Sequence, residues 1–408
     1  MQTIQPTKNS ERELFLDALR GFAILGIFIA NLAGFSHFNG DANVVSPWIT
    51  ERWDDITEFF HIMLIEGKFY SIFSLLFGWG IALQLKRGAQ LSTIRRRLFI
   101  MLLLGAFHLL IWSGDIVFFY ALVGFVLLLF RNCTNKTLLI TAGLLILSPI
   151  LLYWLKMNYP ILNYPADLLR NTGIQVDQAV IGVKSEEEFN VFIHNASWLD
   201  IAKANIGGFF FRYSHLFFVS RIPKVLGMFL IGYFIGRSDF YKNLKQNKKI
   251  VHWVIALGLL IGLPSCFMLA YYITRPGSAY YELKIEGWYE TIAYTMGVVP
   301  LALAYVGLFM VTFQTQLGHK LLSVVSPVGK MAFTNYMMHS LIGSFVFLKP
   351  GLNYGGWVGP TYYTLFAIAV FTFQIVLSTI WLSYFNYGPV EWVWRSLTYG
   401  KRQPMLKT

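Results

Sequence analysis

His108, Asp115, Asn31 and a small set of arginines are the residues in this sequence whose types and spacing could do chemistry. His108 lies near the far end of an apolar run, and Asp115 follows seven residues on, at an equivalent position on a helical face. A carboxylate placed there can fix the tautomer of the imidazole and leave its second nitrogen free to take a proton, the part of a general base. The other reading of a single histidine in an apolar run is an interhelical hydrogen bond. Asp17 and Arg20 stand three apart, and Asn31 comes eleven residues after Arg20, so all three share one face of a helix. Asn31 is then about 16 Å further along than Arg20. Arg97 and His108 repeat the eleven-residue separation in another run, and because both runs start at the cytoplasmic side Asn31 and His108 reach similar depth. Asn31 there could orient a substrate carbonyl or stabilise its oxyanion.

Further polar groups interrupt apolar runs. They are Lys68 with Ser71, and Thr334, Asn335, His339 and Ser340, in which Asn335 and His339 are one turn apart. A polar or ionisable group in hydrocarbon is costly unless paired or facing a cavity, so Asp17, Arg20, Lys68, Arg97, Asn335 and His339 are the candidate substrate-binding positions. For Lys68 the alternative is snorkelling; for Asp17 with Arg20 it is an ion pair that orients the helix at the interface. No His or carboxylate spacing suits a metal, Cys133 and Cys266 carry no ligand pattern, and no bound cofactor is expected.

These residues must be positioned by membrane helices. Of 408 residues 56% are hydrophobic and 13% charged, against roughly a quarter charged in soluble domains. Apolar runs near the length of about 20 residues that spans a bilayer recur along the chain. Ten are drawn: 16–35, 59–85, 98–112, 116–130, 138–154, 219–235, 250–273, 291–313, 328–347 and 363–385. The expected fold is an all-α, polytopic bundle. An N-terminal half (1–156) and a C-terminal half (216–408) flank a segment, 157–215, that reads as a cap, interfacial helices or a connector. The first run follows a charged start without a small-residue cleavage site and is expected to stay as a helix.

A net charge of +12 could point to nucleic acid, but the cations sit in short loops: Lys86, Arg87 and Arg95–Arg97 in one, Arg237, Lys242, Lys245, Lys248 and Lys249 in another. By the positive-inside rule those loops are cytoplasmic. Asp41, Glu51, Asp54, Asp55 and Glu58, and then Glu186–Glu188, mark the opposite side. An even span count returns both termini to the cytoplasm, and the basic pI becomes a topology signal. The terminal stretch Gly388-Pro389-Val390-Glu391-Trp392-Val393-Trp394-Arg395 suits an interfacial anchor helix, with Pro389 in its first turn and Glu391 four residues from Arg395. Gly78 and Gly80 suit close helix packing. Such small residues serve packing within or between chains, which leaves a homo-oligomer open.

Leu16-Asp17-Ala18-Leu19-Arg20-Gly21 with Asn31, the Phe73–Gly80 stretch, Gly105-Ala106-Phe107-His108 with Trp112-Ser113-Gly114-Asp115-Ile116, Gly329–Tyr336 and Gly388–Trp392 together resemble the YeiB-like family, domain of unknown function 418, over nearly the whole chain. That resemblance implies a bacterial multi-pass membrane protein of the cytoplasmic membrane. The opening Leu-Asp-x-x-Arg-Gly block is also similar to the start of the transmembrane acyltransferase superfamily, which includes heparan-alpha-glucosaminide N-acetyltransferase and bacterial O-acetylases. In the O-acetylase branch a histidine stands where this chain has Asn31, so any base must come from elsewhere, and His108 is the candidate by depth. The resemblance implies acyl transfer from cytoplasmic acyl-CoA, a cosubstrate drawn in by Arg20 and the Arg95–Arg97 group, to an external or membrane acceptor, a sugar or lipid hydroxyl or amine. A transporter of a small organic solute is the alternative, with Asp17, His108 and His339 as its sites; a non-enzymatic assembly partner is the third.

Overall fold

The computed structural model describes residues 14–38, 44–193, 195–241, 243–275 and 282–407. Asp41 and Lys242, counted above among the loop charges, and His194 lie outside these residues, as does the side chain of Glu186. Every regular element among the described residues is helical, and the only strand-like pairing is a single bridge between Phe385 and Leu406.

The first half runs through α1 (Leu14–Ser36), α2 (Glu51–Leu64), α3 (Lys68–Lys86), α4 (Leu91–Leu109), α5 (Val117–Leu127) and α6 (Asn135–Asn158). The break between α2 and α3 is made at Gly67, whose φ of 81° is a conformation that glycine adopts without strain. Next come α7 (Tyr164–Val180), α8 (Glu186–Ile193) and α9 (Trp198–Phe218), so the 157–215 segment, called the cap below, is helical rather than a loose connector. Ser197 and Asp200 start α9 with a reciprocal capping box. At Ser220 the chain turns through 76° into α10 (Arg221–Arg237).

The second half continues with α11 (Leu244–Ile273), α12 (Ile285–Phe313), α13 (Gln316–Ser323), α14 (Ser326–Lys330), α15 (Ala332–Phe347), α16 (Pro360–Tyr384) and α17 (Pro389–Tyr399). Among the described residues six helical segments are long and apolar enough to cross a membrane, seven if the bent α9–α10 pair is one span. The protein is a multi-pass, all-α membrane protein. The runs drawn at 98–112, 116–130 and 328–347 fall on α4, α5 and α15. Of these α4 carries three arginines, while α5 and α15, of 11 and 16 residues, are short against a hydrocarbon core about 30 Å thick.

Lipid removes most of the hydrophobic drive for helices to associate, so backbones must come close enough for dispersion and weak polar contacts to hold them. Glycines do this here. A Cβ at Gly232 would lie 1.8 Å from Leu75 O and one at Gly78 2.0 Å from Phe229 O, which fixes α10 against α3. Gly80 meets nothing nearer than Arg20 Nη2, at 3.8 Å, and faces open space rather than a packing surface. Gly21 and Gly329 do the same between α1 and α14, with Cβ positions 2.1 Å from Val325 O and 1.7 Å from Asp17 O. Around these crossings an aromatic core fills in, for example Phe15 stacked on Tyr241 at 4.1 Å and edge-on to Phe313 at 5.4 Å.

Candidate functional site

Gly105 brings α4 onto the start of α5, since a Cβ there would be 2.4 Å from Phe118 N. Three residues later, on the same side, stands His108. Its carbonyl accepts the N–H groups of Ile111 and Trp112 as α4 ends, and the chain then turns through Ser113 and Gly114 to Asp115. One Asp115 oxygen accepts Phe118 N–H at 2.6 Å in the first turn of α5; the other accepts His108 Nδ1–H at 2.7 Å. Both side chains are fully buried. The imidazole is thereby held as the Nδ1–H tautomer, and Nε2 is left buried with no hydrogen-bond partner among the described residues. Such an Nε2 keeps a lone pair that can accept a hydrogen bond or a proton. Tyr336 of α15 packs beside it, ring centroids 5.3 Å apart, and its hydroxyl accepts Ile116 N–H at 3.2 Å.

Tyr336 also lines the inner end of a cavity of about 260 Å³. Arg20, Arg87, Arg97, Lys330 and Arg395 surround its wide end, Leu76, Phe77, Ile81 and Leu98 form an apolar throat, and Ile116, Tyr120 and Tyr336 close it. Of the three successive arginines only Arg97 contributes; Arg95 and Arg96 are exposed. Helix α17 forms one wall. Trp394 donates its indole N–H to Arg97 O at 2.9 Å and lies 3.8 Å beneath the Arg97 guanidinium. Glu391 accepts the N–H groups of Phe333 and Thr334 and the Thr334 hydroxyl, closing the N-terminus of α15. The tail helix therefore walls the cavity.

A second cavity, of about 610 Å³, lies under the cap at the other end of α4. Asn205 of α9 accepts Ser113 N–H at 3.2 Å and donates to Leu110 O at 3.1 Å, so the cap is fastened to the turn that follows His108. Ile111, Trp112 and Ser113 line this cavity and Ile116 and Val117 line the first, so the turn that carries Asp115 runs between the two, while His108 and Asp115 themselves are fully buried and line neither.

The remaining expected residues divide. Asp17 and Arg20 form the expected ion pair at 2.8 Å, and Arg20 reaches the first cavity. Phe35 stacks on Trp112 at 4.5 Å; Asn31 is one turn below the former and His108 one turn below the latter, which brings Asn31 to the depth of His108. Asn31 is half-buried, its Nδ2 lacks a partner among the described residues, and it lines neither cavity. Lys68 does not snorkel. It starts α3 fully buried, and its ammonium donates to Ile62 O at 2.6 Å across the α2–α3 break, away from both cavities. Asn335 donates to Ser378 Oγ at 3.0 Å, while His339 Nε2 bonds Gln374 Oε1 at 2.7 Å and its ring stacks on Phe28 at 3.9 Å. Those two residues join α15 to α16 and α1 and line neither cavity.

One buried cation inside the run 219–235 goes unmarked above, although its place in an apolar run is the signal that marks Lys68. Lys224 of α10 donates to the hydroxyls of Tyr70 on α3 and Tyr294 on α12, and its ammonium lies 4.3 Å from each ring. Three distant elements build that cage, and no local spacing could announce it. Among the described residues no three His, Cys, Asp or Glu side chains come together to hold a metal.

Comparison with known proteins gives concordant matches. Residues 235–401 match the family described as "Protein of unknown function (DUF418)". The chain is 33% identical to "Uncharacterized protein YxaH" of Bacillus subtilis (strain 168), covering 100% of this chain and 99% of that one. It is 29% identical to "Uncharacterized protein YeiB" of Escherichia coli (strain K12), over 95% and 96% of the two chains. An "Uncharacterized 39.9 kDa protein in amylase 3'region" of Bacillus acidopullulyticus is 26% identical over 99% and 98%. No solved structure matches.

Proposed function

Because the chain belongs to the DUF418 family, alongside YxaH and YeiB, we propose for it a membrane-embedded acyl transfer in which acyl-CoA and acceptor approach His108 from opposite ends of the bundle. The observation that supports this reading is the buried His108–Asp115 pair at a turn whose neighbouring residues line a cation-rimmed cavity on one side and a cap cavity on the other. A single-sided hydrolase would need only one of them.

The cationic end suits the phosphates of coenzyme A, for which Arg20, Arg97 and Arg395 offer planar forks. The apolar throat suits the pantetheine arm and acyl chain. At the inner end the acceptor O–H or N–H gives its proton to His108 Nε2 as the heteroatom attacks the thioester carbonyl. Tyr336, whose hydroxyl accepts from Ile116 and keeps its own proton to donate, stabilises the oxyanion. Asn31, at the same depth, offers a second donor. The C–S bond then breaks, and the imidazolium returns its proton to the leaving thiolate, so that the products are acylated acceptor and free coenzyme A. Asp115 steadies the charge on His108 throughout.

In this reading the chain resides in the bacterial cytoplasmic membrane with both termini in the cytoplasm. The shorter helices α4, α5 and α15 complete ten passes within the packed interior, and the basic end faces the cytoplasm by the positive-inside rule. The buried Lys224 cage favours a second reading, a transporter of a small organic solute, since intramembrane cations commonly mark transport paths. Purified protein in detergent separates the two: acyl transfer releases thiol from acyl-CoA when membrane lipid extract is added and loses that release in His108→Ala. A transporter releases none.

A further inference from the structure

Asp177 is a buried carboxyl without a partner. It sits on α7 with 7% of its surface exposed, Oδ1 is buried with no donor, and no hydrogen bond or ion pair reaches the side chain among the described residues. The packing is built around it, for a Cβ at Gly207 of α9 would lie 1.8 Å from Oδ1, so only glycine there lets the two cap helices close over this carboxyl. Burying a carboxyl with nothing to hydrogen-bond it costs several kcal/mol, and unsatisfied groups of this kind mark places where something else supplies the partner.

Asp177 lines the cavity of about 610 Å³ under the cap. Ile174 and Arg170, three and seven residues earlier on the same face of α7, line it too, and Lys184 follows just past the helix end. Arg170 is about 10 Å from Asp177 along the helix axis, which leaves room for a head group between them. Across the space stand Phe35, Trp112 and Leu348. A simple anion is repelled here by Asp177, and a simple amine by Arg170 and Lys184. A small polar solute leaves the aliphatic and aromatic lining uncovered. One ligand class meets all three demands.

We propose that the cap cavity binds a lipid whose head group carries a primary ammonium beside a phosphate, with the ammonium on Asp177, the phosphate between Arg170 and Lys184, and the first methylenes of its chain against Ile174 and Leu348. Resting on the acyl-transfer reading, this amphiphile is the acceptor; its binding does not require that reading.

The test is titration of the purified full chain in detergent with a single-chain ethanolamine phospholipid, followed by native mass spectrometry. The matching choline and glycerol phospholipids and soluble phosphoethanolamine serve as comparisons. The ethanolamine lipid is expected to bind at least about tenfold more tightly than each comparison, and to weaken about tenfold in Asp177→Asn and in Arg170→Gln. Asp177→Asn removes a buried charge and Arg170 is exposed, so both variants should fold. Unchanged affinity in either variant, or equal binding of the choline or glycerol lipid, overturns the site; equal binding of soluble phosphoethanolamine overturns its assignment to a lipid. If thiol release from acyl-CoA is absent while this binding holds, acyl transfer falls and the lipid site stands.

Discussion

Replacing Asp115 by Asn exchanges one oxygen for an NH2 group and should reverse the role of His108. In the parent, one carboxylate oxygen accepts Phe118 N–H at 2.6 Å and the other accepts His108 Nδ1–H at 2.7 Å. An asparagine has one acceptor. Facing its oxygen to Phe118 N–H puts the NH2 group against His108 Nδ1, which must then become an acceptor and pass its proton to Nε2; the opposite flip sets two buried donors against each other. Either way the free lone pair on Nε2 is lost or the start of α5 is disturbed. The first outcome has the lower cost, since it loses one charge-assisted hydrogen bond of about 1.5–3 kcal/mol and leaves no orphaned donor at Phe118. General-base assistance is worth about 10²–10⁴ in rate, so Asp115→Asn should lower the turnover of acyl-CoA by about that factor while the protein still folds. The assay is thiol release from acyl-CoA by protein in nanodiscs, with thermal unfolding of the same sample to show that the bundle persists. A folded Asp115→Asn that turns over at the parent rate refutes the base assignment. So does a loss confined to KM, which would mark Asp115 as a binding group only.

Other perturbations test the packing and the cap. Gly232→Ala places a methyl carbon 1.8 Å from Leu75 O and should cost about 1–3 kcal/mol or more by forcing α3 and α10 apart, whereas Gly80→Ala, with its nearest neighbour 3.8 Å away, should be near neutral; equal Tm values in detergent would contradict this. Glu391→Gln weakens the carboxylate contacts to Phe333 and Thr334 and should cost about 1.5–3 kcal/mol, read as a lower Tm and earlier tryptic cleavage at Arg395. Burial holds the Asp177 carboxyl up at about 6, above its usual value near 4. The folded state therefore binds the proton more tightly than the unfolded one, and stability falls as pH rises from about 4 to about 6, by on the order of 1–3 kcal/mol. Asp177→Asn should remove that part of the slope, and an identical slope of Tm against pH in the variant would contradict the assignment.

Local chemistry was legible in the sequence, and contacts between distant elements were not. The His108–Asp115 and Asp17–Arg20 pairs lie within one helix or across one helix end, so spacing alone brings them together. Arg20 and Arg97 reach a common cavity because α1 and α4 both carry their cations at the basic end, as the loop charges imply. Lys68 escapes such reasoning: its side chain folds onto Ile62 O because Gly67 breaks the chain there, and one apolar run gave no sign of the break. Asn335 and His339 looked like substrate groups because polar residues in lipid demand partners, yet the partners, Ser378 and Gln374, sit about forty residues away on α16. Composition marked α17 as interfacial but could not say that its Trp394 would seat under Arg97. Lys224 stands inside an apolar run, yet its two tyrosine partners come from other helices, and Asp177 is set apart only by a glycine across the cap.

The most direct test of the central claim is a titration of the purified protein with acyl-CoAs from acetyl to palmitoyl, followed by thermal unfolding in detergent, because a ligand that binds only the folded state raises its apparent stability. Acyl transfer through the cation-rimmed cavity predicts a dose-dependent rise in Tm that is lost in Arg20→Ala and Arg97→Ala and kept in His108→Ala. No rise with any chain length, or a rise indifferent to both arginines, would contradict it.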